Sequence, residues 1–281
     1  MTLVQAILLG IIQGLTEFLP ISSTAHIRII PALLGWPDPG AAFTAVIQIG
    51  TLAAVLIYFS RDILRIVLAT LKGITNGKFF ETPDARMGWM IIIGTIPIVV
   101  LGLLFKKQIT GSLRSLYVVS AAMIGLAVLL VIAEWATKQR ALVNAKQKTL
   151  AELGWLDAIA VGFAQCVALI PGASRSGVTI TGGLFLGMTR ETAARFSFLL
   201  SLPSVFAAGV FELYSERQEL ASAGFANLAV ATLVSGIVGY LSIDWLLKYL
   251  RTRTTYAFII YRFIVGIALL VLLSQGWIAA N

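Results

Sequence analysis

Long apolar stretches constrain the fold of this chain more than any other feature. A helix needs roughly 20 apolar residues to cross a bilayer, whose hydrocarbon core is about 30 Å thick. Six stretches are long enough: Ala41–Phe59, Met87–Phe105, Leu116–Trp135, Phe196–Tyr214, Ala226–Leu247 and Tyr256–Ser274. Only 12% of the residues are charged, against roughly 25% in soluble domains. The sequence therefore predicts an all-α integral membrane protein, built as a single polytopic domain over residues 1–281.

Two further apolar regions are interrupted by a proline and a serine-rich turn. They are Met1–Leu19 followed by Ala25–Leu34, and Trp155–Ile170 followed by Gly177–Met188. Pro20 and Pro171 stand at the interruptions, and proline disfavours helix in the residue before it. Non-helical backbone at membrane depth is tolerated where protein or a cavity surrounds it. We therefore predict a helical bundle of about six full spans plus two re-entrant helix-loop-helix pairs.

The distribution of Lys and Arg predicts an orientation. If the spans alternate, 14 of the 21 basic residues fall on one face, 4 fall on the other and 3 lie within apolar segments. Because cytoplasmic loops carry an excess of basic residues, the basic face is predicted to be cytoplasmic, with both termini outside. The net charge of +8 is thus a feature of loops, and we expect no nucleic-acid partner. The N-terminus lacks a basic region and a small-residue cleavage site, so we expect no removable signal peptide.

With this orientation, the first re-entrant pair enters from outside and the second from inside. Opposite insertion predicts an inverted repeat. The two halves are approximately 1–135 and 155–281, and residues 136–154 link them. Aligning Pro20 with Pro171 sets Ser23 over Ser174, which places the two serine-rich turns at equivalent positions.

The stretch from Gln13 to His26 gathers polar groups inside apolar flanks. A charged residue at the centre of a membrane helix costs about 2.5 to 3.5 kcal/mol on insertion scales. Gln13 and Glu17 are four residues apart and share a helix face, and Ser22 or Ser23 can cap the helix that follows. A hydroxyl, an imidazole and a carboxylate so close together favour activation of a nucleophile. The alternative is a buried structural pair of Glu17 and His26, with the serines acting only as caps.

The second turn, Pro171–Thr179, carries groups that suit phosphate. Gly172 lets the backbone approach a ligand closely, and Arg175 has a planar fork that matches phosphate oxygens. The alternative is that Arg175 snorkels or pairs with Asp157. The free N–H groups at two helix N-termini bind anions. Together with Arg175 they predict a site for a polyanion, and phosphate fits best.

Other polar residues within apolar segments receive weaker predictions. Gln48 either lines the site or forms an interhelical hydrogen bond. Ion pairs within the bundle, or interface roles, are predicted for Glu134, Asp157, Asp244 and Arg262. One histidine and one cysteine offer no His/Cys metal constellation. A divalent cation, Mg²⁺ or Ca²⁺, held by Glu17 and substrate phosphates would fit the oxygen ligands that these ions prefer.

The two motifs closely resemble those of the bacterial undecaprenyl-diphosphate phosphatases of the bacitracin-resistance type. That family is marked by an acidic or amide residue four positions before a Glu, a His shortly after paired serines, and a PGxSRSxxT motif. Here these are Gln13 and Glu17, Ser22-Ser23-Thr24-Ala25-His26, and Pro171 to Thr179. The likeness covers essentially the whole chain. Many members have Glu where this chain has Gln13, so this chain offers one carboxylate there.

The resemblance implies removal of the terminal phosphate of undecaprenyl diphosphate, which regenerates the lipid carrier for cell-wall synthesis. It implies that Ser23 is the nucleophile or positions the attack, and that His26 is the acid–base group, with direct attack by His26 as the rival assignment. Glu17 would tune His26 or hold a metal, and Arg175 would clamp the diphosphate. The predicted substrate-binding residues are Gln13, Ser22, Thr24, Gly172, Ser174, Ser176 and Thr179.

The resemblance also implies a multi-pass protein of the bacterial plasma membrane, with its site open to the extracytoplasmic side. The expected partner is a polyprenyl diphosphate lipid whose tail lies between helices, and the oligomeric state stays open between a monomer and a homodimer. A transporter or lipid flippase is the alternative function, because inverted repeats with broken helices are common in transporters. A structural or receptor role is disfavoured by the buried polar clusters.

Overall fold

Helices make up the regular structure of the chain. The computed structural model describes residues 1–215 and 225–279. The helices of these residues are α1 (Leu3–Phe18), α2 (Ser23–Leu34), α3 (Gly40–Tyr58), α4 (Ser60–Thr75), α5 (Pro83–Leu104), α6 (Lys106–Thr110), α7 (Leu116–Leu142), α8 (Trp155–Cys166), α9 (Arg175–Phe185), α10 (Arg190–Ser215), α11 (Phe225–Thr252) and α12 (Tyr256–Ser274). The prediction of an all-α protein is confirmed.

Five of the described helices are long and apolar enough to cross a membrane, namely α5, α7, α10, α11 and α12. Helix α3 joins them if it and α4 count as one bent span, which brings the number to 6. These helices match the six apolar stretches recognised in the sequence, with ends that differ by a few residues. The chain is therefore a multi-pass membrane protein.

The segment after the first apolar stretch, where Arg61, Arg65 and Lys72 predict a basic loop, forms the helix α4. Its axis makes an angle of 81° with that of α3. Helix α4 is amphipathic, because Ile66 and Thr70 are buried while Arg61 and Arg65 are exposed. Apolar residues spaced by three and four positions predict such a helix, but the basic residues made the segment read as a loop.

The two broken helix pairs form where prolines interrupt the apolar regions. Helix α1 packs against α2 and α11, and α8 packs against α9 and α5. With 16 and 12 residues respectively, α1 and α8 are shorter than a full span of roughly 20 residues. The described residues thus contain two short helix-turn-helix units. Their entry from opposite sides of the membrane, and the division into two repeats, stay predictions.

Glycines let the first helix of each broken pair lie very close to a spanning helix. A Cβ on Gly162 of α8 would lie 2.4 Å from the carbonyl oxygen of Gly94 in α5, and one on Gly14 of α1 would lie 2.7 Å from that of Ser235 in α11. Small residues at such crossings allow the backbones of membrane helices to approach. These contacts fix α1 and α8, and therefore the turns that follow them.

Candidate active site

The first turn joins α1 to α2. Leu19 is extended, with φ −68° and ψ 142°, because the following Pro20 disfavours a helical conformation there. Ser22 has φ 76°, which is uncommon for a residue other than glycine. It caps α2, because its Oγ accepts a hydrogen bond from the N–H of Ala25 at 3.3 Å. Other N–H groups in the first turn of a helix have no partner within that helix.

The second turn has the same local geometry. Ser174 has φ 72° and caps α9 by accepting a hydrogen bond from the N–H of Gly177 at 3.1 Å. Its Oγ lies 3.2 Å from the Oγ of Ser176, as the Oγ of Ser22 lies 3.1 Å from the Oγ1 of Thr24. Both turns therefore present a capped helix N-terminus.

The matching caps correct the alignment of the two motifs. Ser22 corresponds to Ser174, so Ser23 corresponds to Arg175, the first residue of α9. The prediction that Ser23 lies over Ser174 is wrong by one position. The reason is that the second turn has one more residue between its proline and its cap.

Glu17 is the residue on which both turns converge. Its carboxylate accepts hydrogen bonds from the Nε2 of Gln13 at 2.7 Å and from the Oγ of Ser23 at 2.6 Å. It also forms a salt bridge with the Nη2 of Arg175, and its side chain is only 3% exposed. The prediction that Glu17 tunes His26 is not what the hydrogen bonds show, since its acceptor oxygens serve these other three groups.

A cavity of about 500 Å³ opens beside this cluster. The predicted residues that line it are Glu17, Ser22, Ser23, Thr24, Ser174 and Arg175. Gln48 also lines it, so the first of its two predicted roles is the one observed. The opposite wall is mainly apolar and comes from α5 and α10, including Val99 and Val205. The cavity therefore pairs a polar wall with an apolar one, as an amphiphilic ligand requires.

His26 lies behind the first turn and does not line this cavity. Its Nδ1 lies 2.7 Å from the carbonyl oxygen of Ser22, and its Nε2 lies 2.6 Å from the hydroxyl of Tyr261. Since a carbonyl only accepts, the proton belongs on Nδ1, and Tyr261 then donates to Nε2. The acid–base role of His26 stays a prediction, and the observed contacts connect it to the backbone of the cap.

A model of the family described as bacitracin resistance protein BacA matches residues 6–268 of the chain. The chain belongs to this family. It is 65% identical over 278 residues to the undecaprenyl-diphosphatase of Chlorobium phaeovibrioides, with 98% of this chain and 99% of the relative covered. It is also 63% identical over 282 residues to the undecaprenyl-diphosphatase of Chloroherpeton thalassium, with both chains covered to 100%. The resemblance carried by the two motifs is confirmed.

Four of the predicted substrate-binding residues of this BacA family member do not line the cavity: Gln13, Gly172, Ser176 and Thr179. Ser176 donates its hydroxyl to the carbonyl oxygen of Leu19 at 3.0 Å and so ties the two turns together. Thr179 lies 2.6 Å, hydroxyl to hydroxyl, from Ser197 of α10. These two residues hold the turns in place.

Gly172 serves the framework and not a ligand approach. Its φ is +94°, and a Cβ there would lie 2.4 Å from the carbonyl oxygen of Val119 in α7. Glycine adopts such a conformation at little cost. Gly172 was expected to let a ligand approach the backbone, but its close neighbour in the structure is α7.

Arg262 belongs to the framework that holds the two turns. The residue is fully buried, and within the described part of the chain it has no carboxylate partner. Its guanidinium donates to the carbonyl oxygens of Pro20 at 3.2 Å and Gly172 at 3.0 Å, and to those of Ala122 and Met123 in α7. The predicted ion pair is wrong, and the interface role is the one observed.

Glu134, Asp157 and Asp244 each form an ion pair, the first of the two roles predicted for them. Salt bridges join Glu134 to Arg190 at 2.5 Å, Asp157 to Lys148 at 2.6 Å and Asp244 to Lys248 at 2.7 Å. Asp157 is therefore not the partner of Arg175. All three pairs lie outside the cavity wall.

The described residues contain no group of three or more His, Cys, Asp and Glu side chains that could hold a metal ion. One observation nevertheless fits a cation at Glu17. The Oε1 of the fully buried Gln13 has no hydrogen-bond partner, although its Nε2 contacts Glu17. A carboxylate and a free amide oxygen are ligands that Mg²⁺ and Ca²⁺ accept.

Proposed function

We propose that this protein hydrolyses undecaprenyl diphosphate to undecaprenyl phosphate and inorganic phosphate. The reaction would recycle the lipid carrier of peptidoglycan synthesis and confer bacitracin resistance. The observation that carries the proposal is the sharing of Glu17 by Ser23 and Arg175 at the wall of the cavity. Phosphoryl transfer depends mostly on positioning and on electrostatic stabilisation, and this wall offers both. The names of the similar proteins supply the substrate.

Binding of the diphosphate would change the partners of Arg175. The guanidinium can hold two phosphate oxygens at once, and the N-termini of α2 and α9 add N–H donors. A phosphate therefore competes with Glu17 for Arg175. Once that salt bridge is lost, the Glu17 carboxylate would keep its hydrogen bond to Ser23 and could accept the proton of that hydroxyl.

Ser23 is the nucleophile in this proposal. Its Oγ attacks the terminal phosphorus while its proton passes along the existing hydrogen bond to Glu17. The bond between that phosphorus and the bridging oxygen breaks, and undecaprenyl phosphate leaves. Water then attacks the phosphoserine, which releases inorganic phosphate and restores Ser23. Direct attack by His26 is disfavoured because both of its ring nitrogens already have partners.

A divalent cation would act on the same cluster. Glu17, the free Oε1 of Gln13 and substrate phosphate oxygens would hold Mg²⁺ or Ca²⁺. The bound ion would neutralise part of the phosphate charge. Gln13 also holds the Glu17 carboxylate in place through its Nε2.

The location in the bacterial plasma membrane follows from the proposed substrate. The cavity lies near the end of α5 and the end of α10. Those ends belong to the face with few basic residues, although Arg217, which was counted there, lies outside the described residues. By the positive-inside rule, the site would open to the extracytoplasmic side. A homodimer stays a prediction, and the mass of the purified protein in detergent tests it.

Phosphate release by the purified protein tests the function. We expect the wild type to release inorganic phosphate from undecaprenyl diphosphate when Mg²⁺ or Ca²⁺ is supplied. Arg175→Ala should reduce the rate about 1,000-fold, since arginines that stabilise phosphoryl transfer contribute at least that much. Ser23→Ala should do the same and should abolish any trapped phosphoserine.

Ser274→Ala is the matched control, because Ser274 is exposed at the far end of α12. It should retain the wild-type rate. A wild-type protein that releases no phosphate with any divalent ion, but moves a prenyl phosphate between leaflets of a vesicle, would reject the phosphatase in favour of a flippase.

A further inference from the structure

A second cavity follows the first along the same helices. It measures about 390 Å³ and is formed by α3, α4, α5 and α10. Thr70 carries the only polar side chain among its lining residues, and its hydroxyl donates to the carbonyl of Ile66 at 2.7 Å. We refer to this cavity as the apolar groove. Leu56, Ile92 and Phe206 line it and are exposed, so the groove is open on the outside of the bundle.

The groove continues the polar cavity along α3 and α5. On α3, Gln48 lines the cavity and Leu52, one helical turn later, lines the groove. That turn is a rise of about 6 Å. On α5, one helix face runs from Ile92 in the groove to Val99 in the cavity.

Thr95 lies between Ile92 and Val99 on α5, and it offers no free polar group to a ligand that passes between the two cavities. Its hydroxyl donates to the carbonyl of Ile91 at 2.7 Å, so its polar atom is already paired. An apolar chain that leaves the cavity along this face would meet no unpaired polar group of Thr95. The two cavities therefore lie next to each other along α3 and α5.

The length of the proposed substrate exceeds what the first cavity can hold. A volume of about 500 Å³ is within the range, roughly 300 to 1,000 Å³, of pockets that take drug-sized ligands. An undecaprenyl chain consists of eleven five-carbon units and carries a diphosphate as well. With the diphosphate at Arg175, most of the chain must therefore lie beyond this cavity.

We propose that the apolar groove binds the distal part of the prenyl chain while the diphosphate occupies the cavity. This inference rests on the proposed function. A prenyl chain is favoured over a phospholipid acyl chain because the groove continues the cavity that holds the diphosphate. Helix α4, bent away from α3, closes one side of the groove with Ile63 and Ile66. The helix that the sequence interpretation missed thus becomes a part of substrate binding.

Two tryptophan variants test this inference. Ile92→Trp fills the groove, and Ile264→Trp is the matched control, because Ile264 is exposed on α12 and lines neither cavity. Phosphate release would be measured in phospholipid nanodiscs with undecaprenyl diphosphate and with farnesyl diphosphate, whose chain has three units. We expect Ile92→Trp to raise KM for the long substrate about tenfold, with kcat unchanged, through lost apolar burial. KM for the short substrate should not change in Ile92→Trp, and neither KM value should change in Ile264→Trp.

An equal rise of KM for both substrates, or none for the long one, would overturn the inference. A second measurement does not depend on turnover: an undecaprenyl diphosphate with a diazirine near its distal end should crosslink to groove residues. Crosslinks elsewhere, or crosslinks in the groove from a diazirine phospholipid that the prenyl probe does not displace, would also overturn it. If the wild type releases phosphate from neither substrate, the proposed function fails. The crosslinks alone then decide whether the groove binds the prenyl chain.

Discussion

The two turns share a scaffold and differ in what that scaffold presents. Each has a serine cap with positive φ, a second hydroxyl two residues later and a capped N-terminus. At the first helical position, the first turn presents the hydroxyl of Ser23 and the second presents the guanidinium of Arg175. Both groups bond to one carboxylate, that of Glu17. The common part therefore builds the anion site, and the difference supplies the reactive groups.

The helices that precede the turns differ in the same way. Gln13 and Gln165 both lie nine residues before the capping serine, and both are fully buried. Glu17 occupies the position that Leu169 has in the second unit. Gln13 bonds to Glu17, whereas the amide of Gln165 has no hydrogen-bond partner on either atom. Because only the first unit has a carboxylate at this position, the site is asymmetric. The nucleophile and the base lie in the first unit, and the guanidinium of Arg175 lies in the second.

The largest expected effect comes from removing the carboxylate. Glu17→Gln keeps the shape of the side chain but should lower phosphate release at least 1,000-fold, since it removes a general base, worth about 10²–10⁴, and the partner of Arg175. Leu169→Gln puts an amide at the equivalent cavity-lining position of the second unit and should change the rate less than about tenfold. Similar losses in both variants would refute the asymmetry.

The position of His26 is occupied by Val178 in the second turn. Substitution of His26 is therefore the next test of how the two turns differ. If His26 acts as a base, the rate rises with pH as the imidazole loses its proton, by a factor of about 100 or more. His26→Gln should remove that rise, and Tyr261→Phe should displace its midpoint, because Tyr261 donates to Nε2. A pH profile that survives in His26→Gln would reduce His26 to support for the carbonyl of Ser22.

Substitution of Arg262 tests the hydrogen-bond donor that the two turns share. Arg262→Met leaves the carbonyl oxygens of Pro20 and Gly172 without their buried donor, and each such loss costs about 1–3 kcal/mol. We expect the free energy of unfolding in detergent to fall by about 3 kcal/mol, with faster hydrogen exchange in both turns. The exposed Arg253→Met is the control and should change stability by less than about 0.5 kcal/mol. Faster exchange in one turn only would show that Arg262 does not join them.

The serine caps should respond alike. Ser22→Ala and Ser174→Ala each remove a capping hydrogen bond and should destabilise the protein by about 1 kcal/mol. Glycine at either position should cost less, because the φ values of 76° and 72° suit glycine. Thermal unfolding of the four variants measures this. A large difference between the two turns would contradict their common geometry.

The smallest effect concerns the far ends of the two half-helices. Arg140 donates to the carbonyls of Leu184 and Phe185 at the end of α9, whereas the loop after α2 is held by Asp38, which pairs with Arg28 and Arg114. Burial alone would raise the pKa of Asp38, but the positive charge of Arg114, its hydrogen bond, that of the Gly40 N–H and the charge of Arg28 lower it below the usual 3.8.

A lowered pKa means that Asp38 stabilises the folded state above its ordinary pKa and that this contribution is lost as the pH falls through the folded value. Asp38→Asn should therefore lower stability at neutral pH by less than about 1 kcal/mol, since the pair is partly exposed to solvent. The gap between wild type and variant should narrow as the pH falls below 3.8. A gap that is independent of pH would reject the ion pair as its cause.

The sequence predicts those features that depend on nearby residues. The lengths of the apolar stretches predict the spans, and Pro20 and Pro171 predict the turns. Both signals depend on residues that are close together in the sequence. Contacts between distant residues were not accessible: Glu17 and Arg175 are 158 positions apart. For Arg262 the sequence could not decide between an ion pair and an interface role. Its acceptors are backbone carbonyls, which leave no trace in side-chain patterns.

The four bonds of Arg262 have a mechanical consequence. Alternating access in transporters with internal repeats is largely a rocking of one repeat against the other around a fixed site. Here a single guanidinium clamps both turns to α7, and Ser176 adds a direct tie from the second turn to Leu19. Any rocking at this junction would break several buried hydrogen bonds at once. The two turns are therefore tied to each other and to α7 at the place where alternating access would require them to move apart.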